Sequence, residues 1–105
     1  MRFSIDCIDA LIFDFDGVLT DNSVFINEKG EESVKCNRGD GLAFEELKEL
    51  GLKSYIVSAE KNKVVAHRGK KLNIPVTHGA KDKVQAINEL AESEDLDLKR
   101  ILYIG

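Results

Sequence analysis

The sequence has 105 residues with 15 basic and 19 acidic side chains, and its net charge is therefore −4. This length fits one domain, and a composition that is 43% apolar and 32% charged is typical of globular proteins rather than disordered ones. The acidic balance argues against a nucleic-acid partner. The apolar runs are much shorter than the roughly 20 residues that cross a bilayer, which argues against a membrane protein.

The termini and the cysteines indicate where the protein acts and how much of a domain is present. Residues 1–10 do not resemble the basic and apolar leader of a secreted protein. Cys7 and Cys36 form no CxxC pair and have no histidine at metal-binding spacing, so we expect structural thiols in a reducing cytoplasm. Residues 102–105 predict a buried strand that runs into a glycine, and we expect the sequence to be part of a longer domain.

The first third of the chain predicts one buried strand and a hairpin. Residues 10–15 form an apolar run that only Asp14 interrupts, which is typical of a strand buried on both faces. Residues 24–27 and 33–37 alternate weakly between apolar and polar side chains and flank a turn with Gly30. This pattern predicts a β-hairpin.

The rest of the chain alternates helices with strands. Helices are predicted over residues 40–50, with Asp40 as the cap and Gly51 as the stop, and over residues 62–72 and 80–93. The residues expected to face inward are Ala43, Leu47 and Leu50 in the first helix, and Val84, Ile87 and Leu90 or Ala91 in the third. Strands are predicted at residues 53–58, 76–78 and 101–104. The alternation predicts an α/β fold with a parallel sheet and right-handed crossovers.

Chemically active side chains follow the predicted strands, at the edge where parallel sheets carry their sites. Asp14 and Asp16 end the first strand, Ser58 and Glu60 follow the second, and Lys83 lies one turn into the helix after the third. Two converging carboxylates need a cation or a shared proton, and magnesium suits an all-oxygen site. One carboxylate can attack phosphorus while the other protonates the leaving oxygen. Donors at Ser58 and Lys83 complete a phosphoryl-transfer site.

A D-x-D pair by itself is a weak signal, because two aspartates in a turn are usually solvent-exposed or capping groups. Here Asp14 interrupts an apolar run, and burying a charge without a function is costly. The functional interpretation is therefore favoured.

Three segments resemble the signatures of the haloacid dehalogenase superfamily of phosphatases. Residues 11–21, LIFDFDGVLTD, resemble the first signature; Ser58 after residues 55–57 is similar to the second, and Lys83 in GAKDK to the third. The spacing and the hairpin resemble the capless subclass that dephosphorylates 3-deoxy-D-manno-octulosonate 8-phosphate and nonulosonate 9-phosphates. The same module occurs fused to cytidylyltransferases that activate sialic acids. The resemblance covers residues 10–105 and implies a Rossmann-like three-layer fold with a hairpin flap after the first strand.

The resemblance implies a role for each matching residue. Asp14 is expected to be the phosphorylated nucleophile and Asp16 the general acid and base. Both are expected to hold Mg²⁺, Asp16 through its backbone carbonyl. Ser58, Ala59 and Lys83 are expected to bind the phosphoryl group.

The resemblance also bears on the end of the chain and on assembly. The family's fourth signature, an acidic pair that completes the magnesium shell, would follow Gly105. Residues 1–105 are therefore expected to be a single phosphatase domain truncated before that signature, which binds magnesium weakly and hydrolyses phosphate esters poorly. Hairpins of this kind imply a homotetramer in the family.

The substrate is expected to be a sugar-acid phosphate. Octulosonate phosphatases commonly have Thr-Gly-Arg at the second signature, whereas Glu60 takes the place of that arginine here. Glu60, Arg68 and Lys71 have the spacing of the nonulosonate branch, and such spacing can place them on one helix face. The two cations could pair with a substrate carboxylate and Glu60 could accept from sugar hydroxyls, unless the patch is only a solvated face. The family often has Arg-Asp-Gly after the hairpin, and here the arginine, Arg38, is displaced by one residue, so its role is not assigned. The role of His78, at the end of a predicted strand, is not assigned either.

Two other functions share part of this pattern. A receiver-type signalling module would carry its phosphorylated aspartate on the third strand, and residues 76–78 contain none. The stronger alternative is a non-catalytic oligomerisation domain of a sialic acid cytidylyltransferase-type protein, because the predicted hairpin has edges that need a partner.

Overall fold

The computed structural model describes residues 8–61 and 63–105, and for residues 21–23 only the backbone. Its elements, in chain order, are β1 (Ala10–Phe13), β2 (Thr20–Ile26), β3 (Glu32–Cys36), α1 (Gly39–Glu49), β4 (Lys53–Val57), α2 (Val64–Leu72), β5 (Val76–Thr77), α3 (Lys83–Ser93), a 3₁₀ turn (Leu98–Arg100) and β6 (Ile101–Ile104). A parallel sheet has the strand order β5-β4-β1-β6, and β2 and β3 form an antiparallel hairpin. The predicted α/β fold with its hairpin is confirmed.

β1 lies inside the sheet because its side chains are apolar on both faces. Ala10, Leu11 and Ile12 are buried, and Ala10 pairs with Lys53 of β4 on one side and with Ile101 of β6 on the other. The strand ends at Phe13, two residues before the predicted end. Asp14 therefore directly follows the strand, and Asp16 lies in the turn after it.

Two apolar clusters show that the fold has three layers. The cluster on one face of the sheet joins α1 and α2 to the sheet and contains Phe15, Leu19, Phe44, Ile56, Val65 and Ile74. The cluster on the other face joins α3 to the sheet and contains Ala10, Ile12, Tyr55 and Val57, with Ile87 and Leu90 packed against it. Neighbouring residues of β4 alternate between the clusters, as the period of a strand requires. The expected three-layer arrangement is confirmed.

α1 lies one residue earlier than predicted, and its predicted inner face is only partly right, because Leu47 packs against the first cluster while Ala43 is exposed. The helix begins at Gly39, so Asp40 lies in its first turn and provides no side-chain cap. Phe44 is the buried residue, while Leu50 is 57% exposed. Phe44 faces inward because its ring packs edge-on against Phe13, with ring centroids 5.0 Å apart.

α2 and α3 begin later in the chain than predicted. α2 begins at Val64, and Asn62, the expected first residue, lies outside the described residues. α3 begins at Lys83 because the Asp82 carboxylate caps it, accepting a hydrogen bond from the Gln85 N–H at 3.1 Å. This start leaves Val84 70% exposed rather than inward.

The hairpin packs against the first cluster through Val34 and Cys36 and ends in a polar turn. The Asn27 carboxamide oxygen accepts from the backbone N–H groups of Lys29 and Glu31, and Gly30 takes the positive φ of 78° that this turn needs. Val24, Phe25 and Ile26, near the turn, are all exposed. In the part of the chain that the structure describes, no helix is long and apolar enough to cross a membrane. Cys36 at the end of β3 is a free, partly buried thiol, and Cys7 lies outside the described residues.

Candidate active site

The end of β1 fixes the backbone of Asp14. Its N–H donates to the carbonyl oxygen of Ile104 at 2.9 Å, which extends the pairing of β1 with β6 by one residue. The Asp14 Oδ1 atom accepts from the N–H of Phe15 at 2.8 Å. The Phe15 side chain is fully buried, so the carboxylate is held against an immobile part of the backbone.

A closed turn carries Asp16 beside Asp14. The N–H groups of Leu19 and Thr20 donate to the carbonyl oxygen of Phe15, and Gly17 has a φ of 79°. The buried Thr20 side chain accepts from the N–H of Gly17 through Oγ1 at 3.2 Å. Sequence reasoning missed this function of Thr20. A hydroxyl residue three positions after a turn glycine was the available signal.

Lys83, the first residue of α3, contacts the Asp14 carboxylate. Its Nζ atom lies 3.0 Å from Asp14 Oδ2, and the two residues are 69 positions apart in the sequence. The hydrogen bond from Lys83 to Asp14 is the largest cause that raises the pKa of the ammonium group. Lys83 therefore remains a cation at neutral pH. The structure brings together the predicted nucleophile and the predicted phosphoryl-binding lysine.

Ser58 directly follows β4, at the same edge of the sheet. Its N–H donates to the carbonyl oxygen of Thr77 at 2.8 Å, and the side chain is only 1% exposed. The Oγ atom accepts from the N–H of Glu60 at 3.0 Å, so the hydroxyl hydrogen remains available to donate. Ala59, between them, is exposed.

Negative charge accumulates around Asp16. Burial of part of its carboxyl raises the pKa of Asp16 first, the charges of Glu60 and Asp14 raise it further, and Lys83 opposes them. A carboxyl with a raised pKa keeps its proton to a higher pH, as a general acid requires.

We expect Asp16→Asn to stabilise the metal-free protein near neutral pH. The folded-state pKa of Asp16 lies above its ordinary value of 3.8, so ionised Asp16 lowers stability at neutral pH, and this penalty disappears as the pH falls through the folded and then the unfolded pKa. Thermal unfolding with a chelator should give a higher Tm for the variant at pH 7 and a shrinking difference toward pH 4. Glu28→Gln, in the exposed hairpin turn, is the matched control. An equal difference at both pH values would contradict the assignment.

The structure does not place Glu60, Arg68 and Lys71 on one face of a helix. α2 begins four residues after Glu60, so helical periodicity does not extend to it. Lys71, at the carboxyl end of α2, lines a cavity with Lys53 and Ser54 at the start of β4, whereas Glu60 follows the end of that strand. Helix and strand run in opposite directions in this unit, which separates Lys71 from the site.

Arg68 lies in the middle of α2 and contacts the hairpin. Its Nη2 atom donates to the carbonyl oxygen of Asn37 at 2.8 Å, and its buried Nε atom has no hydrogen-bond partner within the described part of the chain. The neighbouring cavity, of about 560 Å³, is lined by residues of the turn after Asp16 and by the end of the hairpin, including Lys35 and Arg38. His78, after β5, is exposed.

The donor set is consistent with magnesium. Asp14 and Asp16 supply hard oxygen atoms, and the negative charge that raises the pKa of Asp16 is charge that a cation would offset. Within the described residues no group of three or more histidine, cysteine or acidic side chains could hold a metal ion. A magnesium ion here would therefore keep several waters, which is usual for this ion.

Solved structures match this fold closely. A Streptomyces avermitilis protein assigned by name to the HAD family of hydrolases has a TM-score of 0.93 and 42% identity, over 100% of this chain and 60% of that chain. The 3-deoxy-D-manno-octulosonate 8-phosphate phosphatase of Moraxella catarrhalis, solved with magnesium ion, phosphate ion and KDO, has a TM-score of 0.88 and 29% identity. That match covers 96% of this chain and 59% of that chain.

Curated proteins give the same relationship. The 3-deoxy-D-manno-octulosonate 8-phosphate phosphatase of Yersinia pestis is 31% identical over 101 residues, which are 93% of this chain and 53% of that protein. The N-acylneuraminate cytidylyltransferase A of Danio rerio is 26% identical over 102 residues, which are 95% of this chain and 24% of that protein. No family model matches the sequence. The chain therefore spans about half the length of the Yersinia pestis phosphatase and about a quarter of the length of the cytidylyltransferase. In both sequence and fold, it resembles the haloacid dehalogenase superfamily and, within it, the octulosonate phosphatases.

Proposed function

We propose that the protein is a magnesium-dependent phosphatase that hydrolyses a sugar-acid phosphate through an aspartyl-phosphate intermediate. The observation that carries the proposal is the contact between Lys83 Nζ and Asp14 Oδ2 at 3.0 Å, beside an Asp16 carboxyl with a raised pKa. A nucleophile, an acid and a phosphoryl-binding cation thus meet at the carboxyl edge of the sheet. The same residues match the signatures of the superfamily.

The reaction has two steps. An Asp14 oxygen attacks phosphorus, the P–O bond to the sugar breaks, and Asp16 donates its proton to the leaving oxygen. Asp16, now ionised, takes a proton from a water molecule, which attacks the aspartyl-phosphate, releases phosphate and restores Asp14. Lys83 and the Ser58 hydroxyl donate to phosphoryl oxygens throughout.

Asp14 and the backbone carbonyl of Asp16 would hold the magnesium ion. When bound, the ion supplies positive charge that stabilises the phosphoryl oxygens and offsets the repulsion between a phosphate ester and two carboxylates. The proposal is supported by the solved relative from Moraxella catarrhalis, whose structure contains magnesium and phosphate ions.

The proposed substrate class is supported by two relatives that are named as 3-deoxy-D-manno-octulosonate 8-phosphate phosphatases. Glu60 and Arg68 are our candidates for contacts to the sugar acid, because the charge of Glu60 acts on Asp16 and the buried Arg68 Nε has no hydrogen-bond partner among the described residues. Lys71 is a weaker candidate, since it lines the cavity at the start of β4. Ala59, next to Ser58, would bind the phosphoryl group through its backbone.

Phosphate release from the full-length chain tests the proposal. Octulosonate 8-phosphate, a nonulosonate 9-phosphate and a hexose 6-phosphate without a carboxylate would each be assayed with magnesium and with a chelator. We expect turnover of at least one sugar-acid phosphate, faster than that of the hexose phosphate and abolished by the chelator. Equal turnover of all three would overturn the substrate class, and turnover in the chelator would overturn the metal requirement.

A non-catalytic oligomerisation domain is the second candidate. It is favoured by the similarity to a cytidylyltransferase and by the exposed apolar tip of the hairpin, at Val24, Phe25 and Ile26. Assembly into a homotetramer through this tip is compatible with either function. Absence of phosphatase activity in a tetrameric full-length chain would favour the scaffold.

A further inference from the structure

The positive charges of the chain are concentrated in one segment. Residues 61–81 contain six of the 15 basic side chains and no acidic one, whereas the whole chain has a net charge of −4. The segment begins three residues after Ser58 and ends two residues before Lys83. Its two ends therefore belong to the loops that follow β4 and β5, at the edge of the sheet that carries the candidate active site.

Backbone hydrogen bonds hold these two loops together. The N–H of Gly79 donates to the carbonyl oxygen of Glu60 at 2.9 Å. The N–H of Ala80 donates to the carbonyl oxygen of Ser58 at 3.0 Å. A Cβ atom placed on Gly79 would lie 4.0 Å from Lys61 Cγ, so the aliphatic part of Lys61 lies against the second loop. The two loops thus form one rim beside the site.

Each loop places a lysine on this rim. Lys61 and Lys81 are both exposed, and neither forms an ion pair within the described part of the chain. Lys81 precedes Lys83 by two residues, and the Lys83 Nζ atom contacts Asp14. Asp82, between the two lysines, caps α3 with its carboxylate. Two ammonium groups therefore lie close to the site but outside the contact between Lys83 and Asp14.

The carboxyl groups of the site oppose the binding of an anion. Asp14, Asp16 and Glu60 all lie at this edge of the sheet. A phosphate ester that also has a carboxylate carries roughly three negative charges at neutral pH. The Coulomb energy is proportional to the charge of the ligand. Nearby cations therefore attract such a ligand more strongly than a phosphate ester without a carboxylate.

We propose that Lys61 and Lys81 steer anionic substrates to the site and favour those that carry a carboxylate in addition to the phosphate. The two ammonium groups act through their electric field and not through a contact with the substrate. This inference deepens the proposed phosphatase function and rests on it for the identity of the substrate. It explains a preference for sugar-acid phosphates by charge, without any requirement for particular sugar hydroxyls.

Lys61→Gln combined with Lys81→Gln tests the proposal in the full-length chain. The probes are 3-phosphoglycerate and glycerol 3-phosphate, which are similar in size but differ by one carboxylate. Calorimetry with magnesium at low ionic strength, about 10 mM, would measure both affinities. We expect a loss of about tenfold for 3-phosphoglycerate and about fivefold for glycerol 3-phosphate, as for two charges on the order of 10 Å from the ligand. Equal losses for the two probes, or no loss, would overturn the proposal.

Lys53→Gln combined with Lys99→Gln is the matched control. Both lysines are exposed and lie at the opposite edge of the sheet, Lys53 at the start of β4 and Lys99 just before β6. This variant has the same net charge as the first, yet its affinity for either probe should change less than about twofold. A loss as large as that of the first variant would show an effect of net charge alone and overturn the role of the rim.

The dependence on salt separates a field from a contact. At an ionic strength of about 1 M, charges are screened beyond about 3 Å. The loss of affinity in the variant without Lys61 and Lys81 should therefore disappear. A loss that persists at high salt would show that the lysines contact the ligand, and it would overturn steering.

The two readouts, binding and turnover, distinguish this proposal from the phosphatase function. If the chain hydrolyses no phosphate ester but binds 3-phosphoglycerate with this salt dependence, only the proposed function is overturned. If a sugar-acid phosphate is hydrolysed, the loss of Lys61 and Lys81 should lower kcat/KM about tenfold at low salt and change kcat less than about twofold. A fall in kcat of the same size would show a role in the chemical step and overturn the proposal.

Discussion

Asp14→Asn should lower the rate of phosphate-ester hydrolysis by roughly a thousandfold or more, because the amide has no charge with which to attack phosphorus. The fold should survive. An asparagine oxygen in place of Oδ1 can still accept the hydrogen bond from the Phe15 N–H, whereas the amide group in place of Oδ2 loses the hydrogen bond from Lys83. The partly exposed ion pair with Lys83 contributes at most about 1 kcal/mol to stability. Phosphate release at saturating substrate and thermal unfolding would measure the two effects.

Asp95→Asn is the matched control for this substitution. Asp95 is exposed after α3 and has a positive φ of 55°, a conformation that asparagine adopts readily. It should retain full activity. Trapping of a phosphorylated protein in the wild type, and its loss in Asp14→Asn, would identify the nucleophile directly. Turnover like that of the wild type in Asp14→Asn would refute the assignment of Asp14.

Gly69→Ala should have the largest effect on stability, a loss of about 2 kcal/mol. Gly69 is buried in α2 where the helix approaches β5, and an added Cβ would lie 2.0 Å from Val76 Cγ2 and 3.1 Å from the carbonyl oxygen of Ile74. Such overpacking costs about 1–3 kcal/mol, and the higher helix propensity of alanine recovers less than about 1 kcal/mol. Thermal unfolding should show a Tm about 10 °C lower.

Two companion variants test the cause of this loss. Gly41→Ala in α1 would place its Cβ 3.8 Å from Leu72 Cδ2, an ordinary contact, so this helix glycine can be replaced without a clash. It should be neutral or stabilising by about 0.5–1 kcal/mol. Val76→Ala, combined with Gly69→Ala, should restore part of the lost stability because it removes the closest clashing atom. If the double variant is no more stable than Gly69→Ala, the contact with Val76 is not the cause.

The sequence determined the sheet and the contents of its carboxyl edge. An apolar run with polar residues at its end predicts a buried parallel strand followed by a site, and the chain has this pattern at Asp14, Ser58 and Lys83. Parallel strands end at the same edge, so the meeting of these residues required no knowledge of distances. The match to family signatures then suggested a role for each of them.

Helix phases and boundaries were less predictable, because they depend on which side chain finds space against the sheet. In α1, the ring of Phe44 packs against Phe13, and this contact turned Leu50 outward although periodicity alone allowed the opposite. In α3, Asp82 became the cap, and the helix started three residues after the predicted position. Local preferences are worth a few tenths to about 1 kcal/mol each, and tertiary packing overrides them.

Tertiary structure alone decided which charged residues share the site. Lys71 fits the spacing of a substrate patch, but the antiparallel course of α2 and β4 places it at the start of the strand, in the other cavity. Arg68 fits the same spacing, but in the folded chain it donates to the carbonyl oxygen of Asn37 in the hairpin. A sequence pattern predicts which face of a helix or strand is apolar and where the element ends. Contacts between elements depend on how those elements pack against one another, and only the tertiary structure defines this packing.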